Sequence, residues 1–224
     1  LCAFRQEAEL YRSAGMDTAW VGHPLRDVVR VSEDVDAALR AAGLDPGRPL
    51  VALMPGSRRN EIRTLCAPML GAARLLQARR PELQFALPLA SETLRGDVEA
   101  ALHRNPLRDL LVYRPTSYAI LSRARVVLQC SGTATLETAL LRIPSVIAYR
   151  CIPLEYLVAR LIMRVAFIGM PNILLGEMVQ PEFFHRHVDA EHLAEAAWAL
   201  LADADRRAAV VARLAEIAEH LGAP

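Results

Sequence analysis

The chain has 224 residues, 53% of them hydrophobic, with 26 basic against 25 acidic side chains and a net charge of +1. That length fits one large or two small domains with a sizeable core, and the balance of charge argues against a nucleic-acid partner held by net charge. Cysteines at 2, 66, 130 and 151 show neither a C-x-x-C pair nor metal-ligand spacing, and no uncharged apolar run approaches the ~18 residues of a spanning helix, so a reduced cytosolic protein fits and a disulfide framework does not.

The chain opens at Leu1 rather than Met, so an N-terminal portion is expected ahead of it. Residues 1–20 read as a short helix and a strand entry ending at Trp20-Val21. Gly22-His23-Pro24-Leu25-Arg26-Asp27 reads as a turn in which Pro24 keeps His23 extended. His23 is either a ligand contact or a structural turn histidine. Residues 33–43 suggest a helix stopped by Gly43, and 45–49 a loop.

Residues 50–54 (LVALM) form a buried strand. It runs into Pro55-Gly56-Ser57-Arg58-Arg59-Asn60-Glu61 and a helical pattern from about Ile62, with Ser57 as the expected cap. Arg58 would project at the carboxyl edge of the sheet, where ligands bind in open α/β folds. Its planar, permanently charged fork suits a diphosphate; a solvated surface arginine is the bland alternative. Pro68 is expected to open a fresh helix reaching Arg80. Strands follow at 83–89 and 110–113, with helices at about 92–103 and 117–122.

Next comes Val126-Val127-Leu128-Gln129-Cys130-Ser131-Gly132-Thr133-Ala134-Thr135-Leu136-Glu137, a strand, a tight turn and a helix start. Gly132 lets the backbone bend close to a ligand, and Ser131 and Thr133 suit a helix start. The turn exposes backbone N–H groups at the positive end of a helix dipole, where a phosphate can sit. Glu137 lies about one turn on. A capping box would put Ser or Thr at 134, which is alanine, so capping does not explain it. It is either a first-turn carboxylate favoured by the dipole, worth about 0.3–1 kcal/mol, or an acceptor for ribose hydroxyls. Neither G-x-G-x-x-G nor a P-loop is present.

A strand at 145–149 follows. Residues 153–164 (PLEYLVARLIMR) read as a core helix or, because apolar bulk is joined by Arg160 and Arg164, a lipid-facing one. Met170-Pro171-Asn172-Ile173-Leu174-Leu175-Gly176 reads as a loop, with Asn172 hydrogen-bonding a ligand or capping the next helix. Pro181-Glu182-Phe183-Phe184-His185 should begin another helix, and amphipathic helices at 189–203 and 205–221 close the chain. The alternation of strands and helices predicts an α/β, Rossmann-like, doubly wound parallel sheet.

Five pieces in order, Val21-Gly22-His23-Pro24, Met54-Pro55-Gly56-Ser57-Arg58 with Glu61-Ile62, Ser131-Gly132-Thr133-Ala134-Thr135-Leu136-Glu137, Tyr149-Arg150 and Pro171-Asn172-Ile173-Leu174, followed by Pro-Glu-Phe at 181–183, resemble the lipid-A-disaccharide synthase family. The resemblance covers about residues 15–190. It implies the C-terminal, UDP-sugar-binding domain of a GT-B glycosyltransferase, with residues 1–22 the tail of a preceding acceptor domain and linker and 23–224 the Rossmann-like domain with its C-terminal helices. The implied inverting reaction joins UDP-2,3-diacylglucosamine to 2,3-diacylglucosamine 1-phosphate, giving lipid A disaccharide 1-phosphate and UDP, without metal or cofactor. Cys130 replaces a usual small residue, and His185 a common glutamine.

The implied roles are these. Gly56 and Ser57 bind UDP, the backbone of Gly132, Thr133, Ala134 and Thr135 with the Ser131 and Thr133 hydroxyls holds the diphosphate, and Glu137 the ribose. Arg58 neutralises charge on the leaving group, and Asn172 sits near sugar or phosphate. His23, Tyr149, Arg150 and Glu182 are further candidates. The general base is expected in the preceding portion, so the chain alone should bind UDP weakly and turn over nothing. The acylated substrates imply a cytoplasmic enzyme held peripherally on the inner face of the bacterial inner membrane; a homodimer is left open. A UDP-N-acetylglucosamine 2-epimerase, a non-catalytic nucleotide-binding module and a lipid-binding protein built on 153–164 are the alternatives.

Overall fold

The computed structural model describes residues 1–31, 33–150 and 166–222. Strands β1 (Leu50–Met54), β2 (Gln84–Pro88), β3 (Leu110–Tyr113), β4 (Ala124–Cys130), β5 (Ser145–Tyr149) and β6 (Glu182–Phe184) form one sheet in the order β3-β2-β1-β4-β5-β6. Every pairing is parallel. Parallel strands are covered on both faces, which is why β1, β2, β4 and β5 read as nearly unbroken apolar runs. The order reverses between β1 and β4, the place where open α/β sheets leave a crevice at their carboxyl ends.

Alternating residues of each strand face two cores. Val51, Leu53, Phe85, Leu87, Val126 and Leu128 pack under the helices Arg59–Arg79 and Ala190–Ala202. Ala52 and Val127 face the opposite side, with Leu121 and Ile143. On that same side the helix Ala134–Leu140 buries Leu136 and Ala139 against Leu174, Leu214 and Ile217, and Phe4 of the N-terminal segment joins this cluster. No helix among the described residues is long and apolar enough to cross a membrane.

Several elements differ from the sequence reading. Pro68 does not start a helix; it lies inside one continuous helix, Arg59–Arg79. Ile62, Leu65, Cys66, Met69, Leu70, Ala73 and Leu76 make one buried stripe across it, and that packing outweighs a lost hydrogen bond. Proline cannot donate to the Thr64 carbonyl four residues back. Arg150 Nη1 approaches that oxygen instead, at 3.4 Å. The expected loop at 170–176 holds a helix, Met170–Leu175, with Pro171 in its first turn and Gly176 ending it in the left-handed region at φ 70°. The expected helix from 181 is β6, which extends the sheet through Ile147–Glu182, Ala148–Phe183 and Tyr149–Phe184. Two aromatic residues in a three-residue segment favour a pleated edge over a helix. The helix read over 205–221 is two, Ala204–Leu214 and Ile217–His220. The 153–164 segment, with Arg160 and Arg164, lies outside the described residues.

Replacing Pro68 by alanine restores the amide that Thr64 lacks. The expected result is a gain of about 1–2 kcal/mol in unfolding free energy, the interior-proline cost less the entropy that proline removes from the unfolded chain. A urea titration that gave an unchanged or lower midpoint would show that the Arg150 contact already compensates.

Candidate functional site

The first wall of the crevice is the bend after β1. Gly56 adopts φ 129°, and a Cβ there would stand 2.4 Å from Glu61 Oε2. That residue must therefore be glycine twice over, for its backbone and for the carboxylate tucked beneath it. Glu61 accepts the backbone N–H of Ser57 at 2.8 Å and of Arg58 at 3.1 Å, satisfying two amides at the start of the helix. Glu61, not Ser57, thus caps this helix. Its other oxygen takes Arg58 Nη1 at 2.9 Å. Arg58 is 82% exposed, and its remaining guanidinium N–H groups have no partner among the described residues.

The second wall is the bend after β4. Thr135 N–H bonds the Gly132 carbonyl at 3.0 Å, and Leu136 N–H the Thr133 carbonyl at 2.9 Å. The N–H groups of Gly132, Thr133 and Ala134 have no acceptor among the described residues. Nothing lies within 4 Å of where a Gly132 Cβ would stand, so its backbone faces open space. The hydroxyls divide differently from the sequence reading. Ser131 Oγ donates to the Ile168 carbonyl at 2.6 Å, and the buried Thr135 Oγ1 to the Gly132 carbonyl at 2.7 Å. Both protons are committed to the bend itself. Thr133 keeps an exposed hydroxyl.

Between the bends lies a cleft of about 360 Å³, lined by Gly56, Ser57, Arg58, Ser131, Gly132, Thr133, Ala134 and Glu137, together with Met54, Glu61 and Cys130. Burial pushes the Cys130 thiol up to about 12, so it stays a neutral wall. The Glu61 carboxylate raises that thiol further and the Arg58 guanidinium lowers it, both acting less than burial does. Glu137 accepts the Tyr118 hydroxyl at 3.1 Å through Oε2. The crevice therefore unites both glycine bends, Arg58 and Glu137, from segments about 75 residues apart.

The other candidates stand elsewhere. Asn172 is fully buried: Nδ2 donates to the Gln180 carbonyl and to Glu182 Oε1, each at 2.7 Å, and Oδ1 accepts Val179 N–H at 3.0 Å and Gln180 N–H at 2.9 Å. Glu182 also accepts Ile168 N–H at 2.7 Å and Gly169 N–H at 2.8 Å. The pair holds the 168–180 segment, whose Ile168 carbonyl receives Ser131. Arg150 Nη2 donates to the Val188 carbonyl at 2.6 Å, and Tyr149 stacks on Phe184 with centroids 5.9 Å apart. His23 Nδ1 accepts Leu25 N–H at 3.2 Å in a separate hollow beside Arg26 and Leu221. Sequence reasoning gave Glu61 no role beyond the family signature and did not single out Tyr118. Glu61 lacked the capping-box signal, because the residue three before it is Arg58 and not Ser or Thr; Tyr118 meets Glu137 only through the fold.

This fold and its bend-lined crevice define a Rossmann-like α/β domain. A family profile described as Lipid-A-disaccharide synthetase matches residues 2–222. A lipid-A-disaccharide synthase from Geobacter sulfurreducens is 40% identical over 219 residues, covering 98% of this chain and 57% of that protein. The chain belongs to the lipid-A-disaccharide synthase family, and it spans little more than half the length of the curated relatives it matches. Among solved structures, a Staphylococcus aureus MnaA–UDP co-structure superposes with a TM-score of 0.65 at 12% identity, over all of this chain and 55% of that one. The C-terminal CMP-Kdo binding domain of WaaA from Acinetobacter baumannii gives 0.55 at 12% identity, over 82% of this chain and 95% of that one.

Asn172→Ala strips a partner from two amides, a carbonyl and a carboxylate. It is expected to lower unfolding free energy by about 3 kcal/mol in urea, as buried groups left unpaired do. A loss under about 1 kcal/mol would show that the side chain does not hold the 168–180 segment.

Proposed function

We propose that the chain is the UDP-sugar-binding half of an inverting glycosyltransferase. The intact enzyme joins UDP-2,3-diacylglucosamine to 2,3-diacylglucosamine 1-phosphate and releases UDP. Family membership supports the reaction. The observation that carries the site is the crevice at the β1/β4 reversal, where unpaired amides and an exposed guanidinium face each other.

Displacement at an anomeric carbon drives negative charge onto the departing diphosphate, so preorganised donors there lower the barrier. The N–H groups of Gly132, Thr133 and Ala134 and the Thr133 hydroxyl supply donors on one bank. Arg58 supplies a fixed positive charge from the other, its Glu61 contact fixing the guanidinium while leaving N–H groups to donate. Gly56 and Ser57 shape that bank. Glu137 accepts the ribose hydroxyls. Asn172 and Glu182 act behind the crevice by holding the segment to which Ser131 is tied, and Ser131 and Thr135 lock the bend. The base that activates the acceptor hydroxyl belongs to the part of the enzyme beyond residues 1–22, which we read as the tail of the acceptor domain and its linker. Because both substrates carry acyl chains, the intact enzyme works peripherally at the cytoplasmic membrane surface.

Calorimetric titration of the chain with UDP tests the site. Glu137→Ala should weaken binding by about 10- to 100-fold and Arg58→Ala by about tenfold, the worth of hydrogen bonds to charged groups. If neither change alters affinity, the assignment is wrong. For the membrane, the intact enzyme is expected to co-sediment with anionic phospholipid vesicles; recovery wholly in the supernatant would count against a peripheral enzyme.

A further inference from the structure

Glu137 stands at a neck. On one side is the cleft between the bends. On the other is a second chamber of about 260 Å³ walled chiefly by Tyr113, Pro115 and Tyr118. Met54, Pro88, Pro115 and Glu137 border both spaces. Tyr118 Oη donates to Glu137 Oε2 at 3.1 Å, while Oε1 has no partner among the described residues.

We propose that Tyr118 is a positioning residue for nucleoside selection: it pins one oxygen of Glu137 at the neck, leaving the other for a ribose diol, and the chamber beyond receives an uncharged base. This rests on the nucleotide reading of the cleft and extends it.

Three features support the assignment. The first is linear order. Free amides, then a carboxylate one helical turn or roughly 5 Å further on, then a second hollow, match the phosphates, diol and ring of a nucleoside diphosphate. The second is chemistry. Glu137 is the one charged side chain bordering the chamber among the described residues, and Met54, Pro88, Pro115 and Leu121 offer apolar surface to a flat ring. The Tyr113 hydroxyl is buried without a hydrogen-bond partner among the described residues, and a polar ring edge would supply one. The third is protonation. Burial, then the charge of Glu137 and its hydrogen bond, push the Tyr118 phenol up to about 12, so it remains a donor at neutral pH.

The test is calorimetric titration of the 224-residue chain with UDP, 2′-deoxy-UDP and inorganic pyrophosphate. Wild type should prefer UDP to its deoxy analogue. Tyr118→Phe keeps the ring and loses the donor. It should weaken UDP by roughly 3- to 10-fold, shrink the preference for the ribose form below about twofold, and leave pyrophosphate unchanged. Tyr113→Phe should weaken UDP while leaving both that preference and pyrophosphate intact. If Tyr118→Phe keeps the UDP affinity and the preference, Tyr118 does not position Glu137. If pyrophosphate weakens in step with UDP, Tyr118 is only structural support. If Tyr113→Phe changes nothing, the base lies elsewhere. Any of these overturns the inference while leaving the diphosphate site standing, whereas wild type that binds no UDP would remove both.

Discussion

The structure turns on a constraint of chain direction. β1 and β4 lie side by side and run the same way, yet the chain leaves them on opposite faces of the sheet. After β1 it enters the Arg59–Arg79 helix and moves toward β2; after β4 it enters the Ala134–Leu140 helix and moves toward β5. Neither connection can cover the gap between them. The backbone at both exits must bend sharply, so the crevice is lined by amides and glycines rather than filled by side chains. Gly56 and Gly132 sit at those two exits, and the crevice is the topology made visible.

A crevice of this kind needs stiff banks, and the two are stiffened by different means. The β1 bank is local: Glu61 reaches back across one helical turn and holds two amides and a guanidinium together. The β4 bank is tied over long range. Gln129 beneath the bend donates to Thr138 at 2.9 Å and to Ser145 at 2.6 Å, and Ser145 reaches on to Gln180. Ser131 is bonded to Ile168, whose own amide ends on Glu182. Glu182 also takes Asn172. A buried polar network of this size is costly unless its members are paired; of these all but Gln180 Nε2 have partners among the described residues, and a paired network fixes one arrangement. Here it fixes the bend that carries the free amides.

Legibility in the sequence followed the range of the interactions. Buried parallel strands announce themselves as apolar runs, so the main strands and the α/β class were readable, and glycine followed by Ser-Arg or by Thr-Ala marked both bends. What failed was short or context-made. β6 has three residues and exists because β5 offers an edge. The Met170–Leu175 helix is six residues long and begins beside a proline, which reads equally as a loop. Pro68 sits in a helix whose buried stripe outweighs it. Asn172 was read as a ligand contact or a cap, and neither reading foresees a side chain spent on Val179, Gln180 and Glu182, because those bonds need β6 in place. Tyr118 and Glu137 are 19 residues apart and meet across a strand and a turn.

The distribution of free and committed groups separates two tasks within one crevice. At the β4 bend the Ser131 and Thr135 hydroxyls are committed inward, and what faces outward is mostly peptide backbone. Backbone donors grip a phosphate without regard to what it carries, so they supply affinity rather than choice. Side chains that can choose stand one turn further along, where Glu137 keeps an unpaired oxygen and Tyr118 fixes the other. Discrimination by a hydrogen-bonding site is strong because the wrong ligand leaves a half-buried polar group unpaired. On the proposed reading the bend can stay generic, with selection made at the neck beyond it.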